Sequence, residues 1–131
     1  MIIDTSALLA ILRDEPEAAS YAEAIQRASS RRLSAVGFVE TAAVIDGGRD
    51  PVASRGFDDS LQAAQITIDP VTEAQARVAR DAYRDFGRGS GHPAKLNFGD
   101  CFAYALAKVT GESLLFKGKD FVHTDVDQAL P

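Results

Sequence analysis

The chain has 131 residues, of which 46% are hydrophobic and 25% are charged, a composition within the range of one ordinary globular domain. Fourteen Lys and Arg against nineteen Asp and Glu give a net charge of −5, which argues at first against a nucleic-acid-binding protein, because phosphate contacts need positive charge. That objection weakens if the negative charge is concentrated where metal ions neutralise it.

The first half of the chain alternates short apolar runs with amphipathic segments. Met1-Ile2-Ile3 is apolar on both faces, which is typical of a strand buried in a parallel sheet, and it ends at Asp4. Neither a signal peptide nor a membrane span fits this start, so we expect a soluble, cytoplasmic protein without membrane contact. The apolar spacing then predicts, in order, helices over 6–12 and after Pro16, a strand at 32–35, a helix over 36–45 stopped by Gly47-Gly48, and a helix over 51–65.

The second half continues the same alternation. The pattern predicts a strand at 66–68, a long helix from Thr72 to Gly87, a glycine-rich loop to Lys95, a helix from Asn97 to Gly111, a buried strand at 113–116 and a turn at 117–120. The lone cysteine, Cys101, has no disulfide partner in the chain and is expected to be a buried structural thiol in a reducing compartment. Strands alternating with helices predict a single α/β domain over 1–131, a three-layer sandwich with a mainly parallel central sheet flanked by helices.

Four acidic residues fall where this topology places ligand sites. Asp4 follows the first strand, Glu40 lies early in the helix after the second, Asp100 is in the first turn of the helix after the glycine loop, and Asp120 follows the fourth strand. Ligands of open parallel sheets bind beyond the carboxyl ends of the strands, so all four acids map to one edge. Taken singly, each also fits an ordinary role as a helix cap, a dipole partner, a turn former or a solvated side chain.

The available side chains indicate which cation such a cluster would bind. Converging carboxylates repel one another and need protons or cations to hold them together. Zinc favours Cys and His, and Cys101, His92 and His123 are not at zinc-motif spacing. An all-oxygen site suits magnesium or manganese, which are shared between carboxylates and substrate phosphates, and this indicates phosphodiester chemistry.

Four stretches of the chain resemble the PIN-domain toxins of the VapC type. They are Met-Ile-Ile-Asp-Thr-Ser-Ala-Leu at 1–8, Val-Glu-Thr at 39–41, Asn-Phe-Gly-Asp-Cys-Phe-Ala-Tyr-Ala-Leu-Ala at 97–107 and Leu-Leu-Phe-Lys-Gly-Lys-Asp-Phe at 114–121. The resemblance implies a PIN-like fold and a Mg²⁺-dependent endoribonuclease, with Mn²⁺ as a substitute, that acts as the toxin of a type II toxin–antitoxin pair. It also implies an RNA substrate, a cognate antitoxin and a homodimer.

The resemblance also assigns roles to residues. The active-site acids of the family match Asp4, Glu40, Asp100 and Asp120, with Asp4 and Asp100 as the metal ligands. Thr5 and Ser6 match positions that hydrogen-bond near the first Asp, and Asp125 is a further acid that could share the role of Asp120. Basic residues that could form an RNA-binding rim, or simply a solvated surface, are Arg84, Arg88, His92, Lys95, Lys117 and Lys119.

Two other functions remain open at this point. One is a phosphoryl-transfer or phosphoacceptor α/β protein, in which an Asp after a strand is covalently phosphorylated; the Asp-x-Asp typical of haloacid-dehalogenase-like enzymes is absent, because position 6 is Ser. The other is a non-catalytic PIN-like interaction module. Neither His92 nor His123 carries a functional signal of its own.

Overall fold

A computed structural model describes residues 1–131 and shows four strands alternating with six helices. In chain order the elements are β1 (Ile2–Ile3), α1 (Thr5–Leu12), α2 (Ala18–Arg27), β2 (Arg32–Ser34), α3 (Ala35–Gly47), α4 (Pro51–Ala63), β3 (Thr67–Asp69), α5 (Glu73–Phe86), α6 (Phe98–Thr110) and β4 (Leu114–Leu115). A 3-10 turn at Phe121–His123 follows β4. None of the helices is long and apolar enough to cross a membrane.

The four strands form one parallel sheet in the order β3-β2-β1-β4. The chain therefore moves outward from β1 to β2 and β3, then returns to place β4 on the opposite side of β1. This reversal creates a switch point between β1 and β4, and the crevice outside the carboxyl ends of strands at such a point is where open α/β sheets bind ligands. Asp4 and the segment from Lys117 to Asp120 leave the sheet at this crevice.

Each face of the sheet is covered by its own apolar core. Ile2 pairs with Leu114 and Ile3 with Leu115, and all four side chains are buried. Because successive strand residues point to opposite faces, Ile2 and Leu114 join the core beneath α5 and α6, whereas Ile3 and Leu115 join the core beneath α1, α2 and α4. This arrangement confirms the predicted three-layer sandwich with a parallel central sheet.

Local capping fixes where the helices begin and end. Asn97 caps α6 and Thr72 caps α5, each accepting a backbone N–H from the third residue of its helix, as predicted. At the end of α6, Gly111 adopts the left-handed conformation that glycine tolerates (φ 72°). The end of α3 differs from the expectation: Gly48 has an ordinary negative φ, and the following Arg49 takes the left-handed conformation instead (φ 55°).

Candidate active site

Asp4 lies at the carboxyl end of β1 and caps α1. Its Oδ2 atom accepts hydrogen bonds from the Ser6 backbone N–H at 3.0 Å and from the Ser6 hydroxyl at 2.5 Å. Burial raises the pKa of the Asp4 carboxyl, while the bonds from Ser6 act in the opposite direction and favour the anion. Asp4 is therefore a buried carboxylate whose negative charge is only partly compensated by the protein.

The loop after β4 is held to this carboxylate through Ser6. The backbone N–H of Lys117 donates to the Ser6 hydroxyl oxygen at 2.9 Å, and that hydroxyl in turn donates to Asp4. The Lys117 ammonium contacts Glu15 at 2.5 Å and Glu17 at 3.1 Å, in the connection between α1 and α2. Lys117 thus holds the loop that carries Asp120 against the first helix by both its backbone and its side chain.

Glu40 reaches the site from the second turn of α3. Its Oε1 atom lies 3.5 Å from the Thr5 hydroxyl, which also donates to the Gly37 carbonyl at 3.2 Å. On its other side the Glu40 carboxylate packs directly on Gly99, where even a methyl group would overlap it. Partial burial and the negative charge of Asp4 both raise the pKa of Glu40.

Asp100 joins the cluster from the first turn of α6. Its Oδ2 atom accepts the Asn97 backbone N–H at 3.0 Å, while Asn97 accepts the Asp100 N–H at 2.9 Å, so the two residues form a capping box. Burial, followed by the charges of Asp4, Asp120 and Glu40, raises the pKa of Asp100 to about 7, and the Asn97 bond offsets only part of this. The helix-start role considered for Asp100 is therefore real, and it coexists with strong repulsion from the other acids.

Asp120 completes the group from the exposed loop after β4. Its charge raises the pKa of both Asp4 and Asp100, so it faces the same crevice. Asp125, the alternative fourth acid, accepts hydrogen bonds from the Tyr104 hydroxyl at 2.6 Å and the Lys108 ammonium at 3.0 Å. These two donors lower the pKa of Asp125, and its charge is not among those acting on Asp4 or Asp100. The geometry therefore favours Asp120 over Asp125.

The chemistry of this donor set fits a hard divalent cation. All four groups are carboxylates, whereas the thiol of buried Cys101 lies against the Asn97 carbonyl oxygen at 3.4 Å and the His92 ring packs on Phe86. Burial raises the pKa of Cys101 to about 11, which agrees with the inert structural thiol predicted from the sequence. No three acidic, His or Cys side chains form a ready-made metal cage. Magnesium typically uses only one or two carboxylates and keeps several waters, so the oxygen donors of this cluster suit it without such a cage.

Only some residues of the predicted basic rim are free of ion pairs within the chain. Lys117 is paired with two glutamates, and Arg84 is paired with Asp81 and Asp85. The exposed residues Arg88, Lys95 and Lys119 form no ion pair in the structure. Among the Lys and Arg residues of the predicted rim, unpaired positive charge is therefore limited to Arg88, Lys95 and Lys119.

Sequence reasoning overlooked two features of the site. Gly99 is needed for the close approach of Glu40, and its only sequence signal is a glycine in a helical first turn, where glycine is unfavourable. Glu15 and Glu17 anchor Lys117 across a separation of about a hundred residues, so no local pattern could indicate the contact.

Comparisons with known proteins identify the family to which this chain belongs. The family model for the PIN domain matches residues 1–127. Ribonuclease VapC28 of Mycobacterium tuberculosis is 59% identical over 130 residues, covering 99% of this chain and 98% of the relative. Ribonuclease VapC42 of the same species is 50% identical over 129 residues, and coverage is 98% of both chains.

Two solved structures share the fold at low sequence identity. The crystal structure of M. tuberculosis VapC20, described as a sarcin-ricin loop cleaving toxin, superposes with a TM-score of 0.73 at 16% identity, covering 99% of this chain and 98% of the other. A chain of a toxin–antitoxin complex from Klebsiella pneumoniae superposes with a TM-score of 0.70 at 18% identity, covering 92% and 88%. These likenesses confirm the predicted PIN-like α/β fold.

Proposed function

The chain belongs to the PIN-domain family and, within it, to the VapC ribonucleases; from this premise we propose that residues 1–131 form one nuclease domain that cleaves RNA by a divalent-metal mechanism. The protein is an endoribonuclease toxin of a toxin–antitoxin pair, as its relatives with full-length matches indicate. The observation that carries the mechanism is the convergence of carboxylates: Glu40 packs on Gly99 beside Asp100, and burial together with the charges of Asp4, Asp120 and Glu40 raises the pKa of Asp100. Such perturbation is typical of functional sites.

We assign the metal to Asp4 and Asp100. Both are constrained by hydrogen bonds from their own helix starts, and both retain negative charge that the protein does not neutralise. Mg²⁺ suits these oxygen donors, with Mn²⁺ as a substitute. Once bound, the ion would lower the pKa of a water molecule and stabilise charge on the phosphate.

The other two acids act around this pair. Glu40 is partly buried, is fixed between Thr5 and Gly99, and has a raised pKa, so it is suited to accept a proton from the attacking water. Asp120 is exposed on the loop that Lys117 anchors, which supports a role for it in contacting RNA as it enters. Ser6 keeps the Asp4 carboxylate in one orientation by donating two hydrogen bonds to it.

The same negative charge explains how an antitoxin would inhibit. An Arg or Lys of the antitoxin that enters beside Asp4 and Asp100 would take the position of the cation and form charge-assisted hydrogen bonds. We also propose a homodimer in the active form. Support comes from α3, on which two large apolar side chains are open to solvent, Val39 at 62% and Val44 at 43% exposed.

The test is cleavage mapped across total cellular RNA, with the parent protein and an Asp4→Asn control, in magnesium and in excess EDTA. We expect site-specific cuts in magnesium, with manganese able to substitute, and their loss in EDTA and in the control. Full cleavage in EDTA by the purified parent would remove the metal mechanism. Incubation with acetyl phosphate and magnesium tests the phosphoacceptor alternative, and formation of an aspartyl phosphate without RNA cleavage would favour it over a nuclease.

A further inference from the structure

An apolar groove lies beside the acid cluster, between α5 and α6. Its cavity volume is about 390 Å³, and it is lined chiefly by Arg80 and Tyr83 of α5 and by Phe98, Cys101 and Phe102 of α6. We call this surface the aromatic groove. None of the four acids contributes to its lining, so it is a separate surface from the proposed metal site.

The ring of Phe98 is unusually exposed for a large apolar side chain. It is 70% exposed, although it sits at the first position of a helix whose middle, from Ala103 to Ala107, is buried. Its main aromatic partner is Phe102, which it meets edge-on with ring centroids 5.0 Å apart and the planes at 62°. This edge contact leaves a Phe98 ring face open for a planar ligand.

The aromatic groove is adjacent to the acids through α6 itself. Phe98 immediately precedes Gly99, on which the Glu40 carboxylate packs, and Asp100 follows. Successive helix residues are rotated by about 100°, so the side chains of Phe98 and Asp100 leave α6 about 160° apart, with the Glu40 contact at Gly99 between them. An RNA strand with one phosphate at the acids would have to pass around the start of α6 to bring a neighbouring base to Phe98.

Arg80 gives the aromatic groove a free positive charge. On the same helix, Arg77 pairs with Glu73 and Arg84 pairs with Asp81 and Asp85, but Arg80 forms no ion pair. The cause is in the sequence: the helical neighbours of Arg80 are Ala76, Arg77, Tyr83 and Arg84, none of which is acidic. Proteins that bind single-stranded nucleic acid use this combination of an unpaired guanidinium and open aromatic rings.

We propose that the aromatic groove binds a nucleobase of single-stranded RNA next to the cleaved phosphate, with the base stacked on Phe98 and a phosphate contacted by Arg80. This inference rests on the proposed ribonuclease function and names a binding residue for its substrate. An apolar protein segment would fit the groove less well, because it would bury the Arg80 charge without a partner. Stacking accepts any base, so the groove would contribute affinity and position more than sequence choice.

The experiment measures binding, so that it does not depend on cleavage. Fluorescence anisotropy follows a short 2′-O-methyl oligoadenylate and its abasic counterpart, in magnesium, with the parent, Phe98→Leu, Phe98→Trp and Arg80→Gln proteins, and a gel run after each titration checks that the probe is uncut. Val52→Ala is the matched control, because Val52 is an equally exposed apolar residue (76%) on the distant α4. Thermal melts check that each variant is folded.

We expect Phe98→Leu to weaken binding of the oligoadenylate by about fivefold to a hundredfold, while binding of the abasic strand is unchanged. Phe98→Trp should bind the oligoadenylate at least as well as the parent, and Val52→Ala should match it. Arg80→Gln should weaken both strands and reduce the slope of log affinity against log salt by about 0.7, the value for one phosphate contact on a single strand.

Several results would overturn the proposal. A parent protein that binds the abasic strand as tightly as the oligoadenylate holds no base. If Phe98→Leu binds both strands as tightly as the parent does, or if its affinity for both strands falls by the same factor, then no base stacks on Phe98. If Phe98→Leu instead dissociates a dimer in sedimentation, or loses affinity for the antitoxin with RNA binding intact, the groove belongs to a protein partner. Absence of cleavage with normal base-dependent binding would refute the proposed function alone.

Discussion

Neutralising Asp100 should stabilise the metal-free protein while abolishing its activity. The pKa of Asp100 is raised from 3.8 to about 7, about three units, and one unit corresponds to about 1.4 kcal/mol, so the ceiling on its destabilisation is about 4 kcal/mol. Asp100 is only partly buried, and solvent screening reduces this to about 1–2 kcal/mol. Asparagine retains an oxygen for the Asn97 N–H but loses about 0.3–1 kcal/mol of interaction with the helix dipole.

The net expectation for Asp100→Asn is therefore a gain of about 0–1.7 kcal/mol without metal, or up to a few degrees in melting temperature for a chain of this size. The gain has a defined pH window. Between 3.8 and about 7 the folded parent binds more protons than the unfolded chain, so its stability falls as pH rises. The advantage of the variant should be absent near the lower pH and complete above the upper one.

Thermal melts across this pH range, in EDTA and in magnesium, provide the measurement. Magnesium should stabilise the parent more than the variant, because a ligand that binds only the folded state adds stability by mass action. Asp50→Asn is the control: Asp50 caps α4 by accepting the Val52 N–H at 3.0 Å and belongs to no acid cluster, so its replacement removes a capping carboxylate without relieving repulsion and should not stabilise the protein. An Asp100→Asn protein that is less stable than the parent without metal above pH 7, yet still cuts RNA, would refute the reasoning.

Three further predictions follow from the contacts of the site. Gly99→Ala should displace the Glu40 carboxylate and reduce cleavage at least tenfold with little loss of stability, measured by initial rates and melts; unchanged rates would remove Glu40 from the reaction. Lys117→Met should raise the magnesium concentration needed for half-maximal cleavage, whereas Lys117→Arg should restore it; equal metal dependence in both would show that the pairs with Glu15 and Glu17 do not position the loop. An antitoxin peptide whose inserted Arg or Lys is replaced by Ala should lose inhibition by at least tenfold in a competition assay; full inhibition would contradict neutralisation of the acids.

The architecture was predictable because its signals are local and repeated. Buried apolar runs at β1 and β4, the Asn97 cap and the Gly111 stop all follow from the chemistry of a few neighbouring residues, and the structure has each of them. The edge position of β3 was not predictable in the same way. Ile68 is 42% exposed there, because strand order depends on how helices pack and not on the composition of the strand.

The approximate location of the acids could also be predicted, because the carboxyl ends of parallel strands always meet at one edge. The individual environments of the acids could not be predicted. Nothing near Asp125 in the sequence indicates that Tyr104 and Lys108 occupy its carboxylate, and nothing near Lys117 indicates that Glu15 and Glu17 bind its ammonium. These contacts join residues far apart in sequence, and they decide which acids and which cations remain free for a ligand.

The start of α6 shows why such a site can persist in a stable fold. Asp100 contributes to folding through the reciprocal bonds of the capping box, which fix the residue at which the helix begins and need no cation. The same bonds fix its carboxylate near Asp4, where burial and repulsion make the anion unfavourable. An acid that is repelled by the cluster but has no capping bonds would be expected to turn away from it. An acid that has the capping bonds but lies outside the cluster would have no affinity for a metal. The capping box therefore holds the carboxylate in an unfavourable environment, and under the proposed mechanism a bound cation would offset the repulsion there.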